Sequence, residues 1–303
     1  MENLNKNIDG KFYANKVLTK IYPLSQNFLY KFNRRPSLAV IIVGENPASK
    51  VYVKNKIRVA EENNIQSIEI TLSTQTSEEE LLKKIDTLNQ DVEVDGILVQ
   101  LPLPKHISEQ KVINSISPEK DVDGFHPINF GKLYMGIPNF IPCTPLGCLY
   151  MIKNEVRNLN GKNVVIIGRS NIVGKPMASL LLSSNCTVTI THSKTENLQE
   201  HCRKADILIA AVGSPELIDD TYVNKNTIVI DVGINRVEKP KEKVKSRLVG
   251  DVNYKSVYHL VNKITPVPGG VGPMTIACLM HNTIKAAYQN QQHSFIDLLE
   301  EPT

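Results

Sequence analysis

Asn163-Val164-Val165-Ile166-Ile167-Gly168-Arg169-Ser170-Asn171-Ile172-Val173-Gly174-Lys175-Pro176 is the stretch that decides the fold. Its first five residues are a short, mostly β-branched run, the pattern of a strand buried on both faces. Gly168 and Gly174 bracket a turn, and Lys175 to Ser184 reads as a helix. A strand, a glycine-bracketed turn and a helix aim backbone N–H groups and the positive end of the helix dipole at one point, which suits a phosphate. Ser170 stands where G-x-G-x-x-G has its middle glycine, so the segment alone also suits a plain turn.

The next strand, Thr187 to Ile190, selects the nucleotide. An NAD site places Asp or Glu at its end to hold the ribose 2′-hydroxyl. Here Thr191-His192-Ser193-Lys194-Thr195 follows, with no acid. Arg169 in the first turn and Ser193 after the second strand suit a 2′-phosphate, so NADP is the expected cofactor. Ser193 also reads as a helix N-cap, because Glu196 three residues on completes a capping box. Asp206 to Ala210 and Thr227 to Asp231 supply two more strands. A last helix over Pro273 to Gln289 carries Ile276, Leu279, Met280 and Ile284 at core spacing. The mixed residues beyond it read as a mobile tail.

Upstream, strands at Leu38–Val43, Ser67–Leu72 and Ile97–Val99 alternate with helices at Pro47–Asn63 and Ser77–Asn89, again a parallel sheet with covering helices. Proline and glycine punctuate Ser115 to Gly147, which marks loops and the domain junction. A helix over Leu146 to Asn158 leads into the dinucleotide half. Four segments here carry chemistry. Ser49, Tyr52 and Lys56 share one helix face, a spacing that also fits a solvated surface pair. Gln100-Leu101-Pro102-Leu103-Pro104 follows a strand, so Gln100 stands at the carboxyl end where open α/β sheets bind ligands, or else satisfies backbone groups. Lys120-Asp121-Val122-Asp123-Gly124 offers two loop carboxylates; no third ligand is spaced for a metal, and turn residues are the plainer reading. Pro268-Gly269-Gly270-Val271-Gly272-Pro273 suggests close backbone approach to a ligand where the last helix begins.

Length and composition agree with two soluble domains. The chain has 303 residues, 41% hydrophobic and 22% charged, with a net charge of +4 spread along it. Scattered lysines do not indicate a nucleic-acid surface. Five cysteines without a CxxC pair suit reduced thiols in the cytoplasm better than disulfides or zinc. No secretory signal is visible in the polar N-terminus and no membrane span is expected.

Together these segments, with Asp231-Val232-Gly233-Ile234-Asn235 and Gly250-Asp251-Val252, resemble the methylenetetrahydrofolate dehydrogenase/methenyltetrahydrofolate cyclohydrolase family from about Lys11 to Ala287. The resemblance implies two α/β domains, each a mostly parallel sheet with flanking helices, and a folate site in the cleft between them. Residues 1–145 would form the folate-binding catalytic domain, with a C-terminal helix from about 273 to 303 packing back on it. Residues 146–272 would form the Rossmann-type NADP domain. Lys56 resembles the residue central to both half-reactions, Tyr52 the ring that stacks on folate, Gln100 the residue that positions the lysine, and Asp123 the carboxylate that grips the pterin edge. Gly168, Arg169, Ser170, Gly174, Ser193 and Ile234 fall where the family holds NADP. Pro268, Gly269 and Gly272 fall beside folate. Oxidation of a folate-borne methylene with NADP and hydrolysis to the 10-formyl form are then expected. A lysine whose proton is loosened by partial burial suits the hydrolytic step. The resemblance also implies a homodimer without a resident metal, acting on folate in one-carbon metabolism that supplies purine biosynthesis. A synthetase domain, and with it formate activation, is not expected. A shikimate-type dehydrogenase shares the second half of the pattern but not Gln100-Leu101-Pro102 or the Pro268 run, and a binding module without chemistry is disfavoured by the joint presence of Tyr52, Lys56, Gln100 and Asp123.

Overall fold

The structure, a computed structural model, describes residues 5–238, 246–295 and 297–299. They divide into two compact units. One comprises Asn15–Cys143 with the segment from Ile276 on, and the other Thr144–Thr275 with the N-terminal segment up to Ala14.

The first unit is built from α1 (Gly10–Phe32), β1 (Ser37–Val43), α2 (Pro47–Glu62), β2 (Gln66–Leu72), α3 (Glu78–Gln90), β3 (Gly96–Val99), α4 (Glu109–Ser115) and α5 (Pro127–Tyr134). Its sheet has the order β2-β1-β3, all parallel. Every residue of β1 and β3 is buried, as the continuous apolar runs require. The segment after α4 continues the sheet: Ile97 N donates to Lys120 O at 2.8 Å and Ile97 bridges Asp121 in parallel. This brings the Asp121–Gly124 loop alongside β3.

The chain then passes through α6 (Cys143–Glu155) into β4 (Asn163–Ile167), α7 (Gly174–Ser183), β5 (Thr187–Thr191), α8 (Leu198–Arg203), β6 (Ile207–Ala210), β7 (Ile228–Asp231), β8 (Asn235–Glu238), β9 (Ser246–Val249), α9 (Tyr254–Val257), β10 (Lys263–Ile264) and α10 (Val271–Asn290). The second sheet has the order β10-β7-β6-β4-β5 and is parallel throughout; β8 and β9 form a separate antiparallel pair. The N-terminal segment goes with this unit, not with residues 15–143, because Ile8 N donates to Ile264 O and Ile264 N to Lys6 O, each at 2.9 Å. β4 lies between β5 and β6, so the strand order reverses there, and the carboxyl end of β4 is where such a sheet binds its ligand.

The C-terminal segment is not a loose tail over its described residues. Leu299 is buried, and the Phe295 ring packs on His281 and Tyr288 at 5.3 and 6.1 Å between centroids. All five cysteines are buried and none forms a disulfide. Among the described residues no helix is long and apolar enough to cross a membrane.

Candidate active site

In the first unit, Asn46 caps α2 by accepting from Ala48 N and Ser49 N, and Pro47 occupies the first turn, so the helix starts directly after β1. Its buried face runs Ser49, Val53, Lys56, Val59 and Ala60. Lys56 therefore occupies a core position, only 5% exposed, where a solvated surface lysine would lie on the other face. A buried ammonium needs partners. Lys56 Nζ donates to Gln100 Oε1 at 3.0 Å and sits 5.6 Å from the centroid of the Tyr52 ring. Gln100 is fixed from both sides: its backbone N donates to Ile41 O at 2.8 Å and its Nε2 to Leu101 O at 2.7 Å. The Leu101–Pro102 peptide that follows is cis.

Asp123 completes the group. Burial pushes its carboxyl up, while the Lys56 ammonium and the neighbouring Cys143 thiol pull it back. Burial, and then Asp123, push the Tyr52 hydroxyl up. Burial, and then Asp123, also hold the Cys143 thiol well above its ordinary range, so Cys143 is a neutral donor, and its bond goes to Val122 O at 3.3 Å. Asp121 has a different task. It is buried and accepts from Phe125 N at 3.1 Å, His126 N at 2.8 Å and Asn129 Nδ2 at 2.9 Å. It ties the loop that presents Asp123. Gly124 turns this loop at φ +76°, where a Cβ would strike Pro142 N.

In the second unit, Gly168 has φ +124° and lies against Ala211 O; a Cβ at Gly168 or Gly174 would collide with backbone. Ser170 replaces the missing glycine by local bonding: its Oγ accepts from Val173 N at 3.1 Å and Gly174 N at 3.3 Å, shaping the entry to α7. Arg169 is exposed and makes no ion pair within the described residues. Ser193 is exposed in a turn closed by His192 and Thr195, whose Oγ1 accepts from His192 N at 2.9 Å. It is not a helix cap: α8 begins after Asn197, at φ +50°. This loop holds no carboxylate beside Ser193, which fits a nucleotide bearing a 2′-phosphate.

Asp231 and Asp251 were legible only as parts of motifs; the structure gives them work. Asp231 accepts from Gly233 N, Asp251 N and Val252 N at 2.9–3.0 Å, and Asp251 accepts from Val212 N at 2.7 Å, Gly213 N at 3.0 Å and Asn235 Nδ2 at 2.9 Å. Both are buried. They lock the loops after β6 and β7, leaving Ile234 47% exposed at the sheet's carboxyl edge. Gly233 and Gly250 lie so close to the two carboxylates that neither tolerates a Cβ. Gly269, at φ +108°, and Pro268, exposed, belong to this same unit and precede Gly272 in the first turn of α10. Thus Tyr52, Lys56, Gln100 and Asp123 gather in one unit. Gly168, Arg169, Ser170, Gly174, Ser193, Ile234, Pro268, Gly269 and Gly272 lie in the other.

Residues 8–123 match the model of the tetrahydrofolate dehydrogenase/cyclohydrolase catalytic domain, and residues 142–291 that of its NAD(P)-binding domain. The chain belongs to the tetrahydrofolate dehydrogenase/cyclohydrolase family. Bifunctional protein FolD of Acetivibrio thermocellus is 53% identical, covering 93% of this chain and 96% of that protein. The crystal structure of the bifunctional enzyme FolD from Campylobacter jejuni aligns with TM-score 0.88 at 47% identity, over 93% of this chain and 98% of that one. The Trypanosoma brucei member, solved with NADP cofactor and an inhibitor, aligns with TM-score 0.91 at 33% identity, over 95% and 99%.

Proposed function

We propose that Lys56, held by Gln100 and flanked by Tyr52 and Asp123, is the working centre for both activities of this family member. The chain is an NADP-dependent methylenetetrahydrofolate dehydrogenase and methenyltetrahydrofolate cyclohydrolase of one-carbon folate metabolism. The observation that carries the residue assignment is the buried Lys56 amine, hydrogen-bonded to a side chain that is itself anchored to backbone on both sides.

The first reaction removes a hydride from the methylene carbon between N5 and N10 of the folate, whose lone pairs stabilise the cation left behind. NADP supplies the hydride acceptor. This step needs no general base, so the protein's part is orientation: Tyr52 offers a ring face to the folate and Asp123 a carboxylate to the pterin edge. Arg169 and Ser193 would hold the 2′-phosphate, the Gly168–Gly174 turn the pyrophosphate, and Ile234 the nicotinamide side. Pro268 to Gly272 would lie against folate.

In the second reaction water adds to the methenyl carbon, N5 gains a proton as the carbon–N5 bond opens, and the added water gives up both its protons, one on attack and one as the formyl carbonyl forms, so that one proton is released overall. Lys56 Nζ is the group placed to move that proton, worth roughly 10²–10⁴-fold, with Gln100 fixing its direction. The residues 15–143 unit with the C-terminal segment would be the folate-binding catalytic domain, and the Thr144–Thr275 unit the NADP domain. A homodimer is supported by β5, an open sheet edge with Ile190 exposed, and by Leu182, 60% exposed on neighbouring α7; sedimentation equilibrium tests it. Buried, unbridged thiols fit a cytoplasmic setting. The 10-formyl product fits supply of purine biosynthesis. Neither nucleic acid nor membrane is among the expected partners.

The test mixes purified protein with 5,10-methylenetetrahydrofolate and NADP or NAD, following reduced nicotinamide and the methenyl chromophore together. NADPH without methenyl build-up is expected. No reduction with either cofactor sinks the assignment.

A further inference from the structure

Asn282 lies in the middle of α10, 1% exposed, beside the apolar stripe of that helix. Its amide is fully engaged. Nδ2 donates to Val122 O at 2.8 Å and to Ile141 O at 3.0 Å, and lies 3.6 Å from Cys143 Sγ. These acceptors belong to the two strands of chain that cross at Gly124, one carrying Asp123 and the other Cys143, whose thiol donates to Val122 O at 3.3 Å. One amide thus clamps both neighbours of the substrate carboxylate.

With both donors aimed at carbonyls, Asn282 Oδ1 faces His281 Nδ1 at 3.3 Å. An amide oxygen only accepts, so this contact requires hydrogen on Nδ1. On the other side of the ring, His281 Nε2 lies at ion-pair distance, 3.0 Å, from Asp297 Oδ1, outside hydrogen-bond geometry. Asp297 is anchored in turn by Leu299 N at 3.0 Å and approached by Lys285 Nζ at 3.6 Å, whose ammonium also donates to Asn139 O at 2.9 Å. His281 is 1% exposed and Asp297 about one-fifth. A continuous line of polar contacts therefore runs from the C-terminal segment to the Asp123 loop, Asp297–His281–Asn282–Val122, ending on the residue that precedes Asp123, inside one unit.

We propose that Asn282 is a positioning residue of the Asp123 site, and that Asp297, through His281, holds its amide in the working orientation. In place of Asn282, an apolar residue would satisfy the stripe but deprive Ile141 O of this donor and leave Val122 O with only the weak Cys143 thiol. The C-terminal segment thereby becomes part of the substrate site's support. The proposal rests on the reading of Asp123 as the folate-gripping carboxylate.

A loss of folded protein lowers the maximal rate and leaves the KM of the surviving enzyme alone, whereas a shifted Asp123 raises KM for folate. In Asn282→Leu, KM for 5,10-methylenetetrahydrofolate should rise about tenfold while KM for NADP stays within about twofold, a split that matches loss of one buried hydrogen-bonding group. Asp297→Asn should give the same split at about threefold, with Asp297→Glu restoring it. An unchanged folate KM in Asn282→Leu overturns the proposal. Should that chain not fold, the same result in Asp297→Asn overturns it. Asp123→Asn separates the two ideas: an unchanged folate KM there overturns the reading of Asp123 and the proposal with it, while a raised KM there and a normal one in Asn282→Leu overturns the proposal alone.

Discussion

Gln100 Oε1 accepts from Lys56 Nζ at 3.0 Å while the same amide donates from Nε2 to Leu101 O at 2.7 Å, so the side chain has one possible orientation and the lysine one fixed acceptor. Gln100→Ala removes that acceptor and leaves a buried amine to find another. The loss of a hydrogen bond to a charged group corresponds to about 1.5–3 kcal/mol, or roughly 10–100-fold. Cyclohydrolase turnover, read from the decay of the methenyl chromophore, should fall by that factor. An unaltered rate would show that Gln100 merely packs the end of β3.

Lys56→Ala tests the centre itself. Cyclohydrolase activity should disappear, and NADP binding should persist, since the cofactor candidates lie in the other unit. Binding is measured by fluorescence titration of NADPH on the variant. If affinity for NADPH falls with activity, Lys56 is not acting on folate alone.

The dinucleotide half was the more legible part, because a buried strand, a glycine turn and a helix follow one another without interruption from Asn163 to Ser183. The functional pairings were less so. Tyr52 and Lys56 show the same spacing on a wet helix as on a buried one, and only the packing of Ser49, Val53 and Val59 against the core decides which face Lys56 is on. Ser193 and Glu196 mimic a capping box, yet the Thr195–His192 bond closes the turn first and delays α8 to Leu198. Helix α1 has Pro23 in its interior and no acid in its first turn, which blurs the pattern, although Asp9 caps it by accepting from Lys11 N and Phe12 N. Cys143 was hidden among prolines and glycines. The available signal for Asn282 was a polar residue beside the apolar stripe of the last helix. The tasks of Asp231 and Asp251, whose numbers differ by 20, depend on tertiary contacts that no local pattern encodes.

Arg169→Ala should discriminate between cofactors. The guanidinium is exposed and without an ion-pair partner among the described residues, so it is available to an anion. A charge-assisted contact to a 2′-phosphate is worth about 1.5–3 kcal/mol, so KM for NADP should rise roughly 10–100-fold. KM for NAD, which lacks that phosphate, should hardly move. Equal losses for both would mean that Arg169 supports the turn and does not touch the 2′-phosphate.

Stability should fall with rising pH across the range where most proteins are at their best. Burial pushes the Asp231 carboxyl up to about 7, and its neighbour Asp251 adds to the shift; burial likewise pushes Asp121 up to about 7. In the unfolded chain both titrate near 4. Between those values the folded protein holds protons that the unfolded chain has released. Raising pH then favours unfolding, by up to about 1.4 kcal/mol per pH unit for each group, and the effect ends above about pH 7. Urea midpoints at pH 5.0 and 7.5 read this slope, away from the acid range where Asp297, held low by His281, works in the opposite sense. Asp231→Asn removes one titrating group. It should be less stable than the parent at pH 5.0, because Val252 N then faces an amide nitrogen or loses its acceptor, but its stability should change less between the two pH values. A parent protein equally stable at both, or a variant with an undiminished slope, would place the Asp231 proton elsewhere and make the pair with Asp251 a charged lock at all working pH.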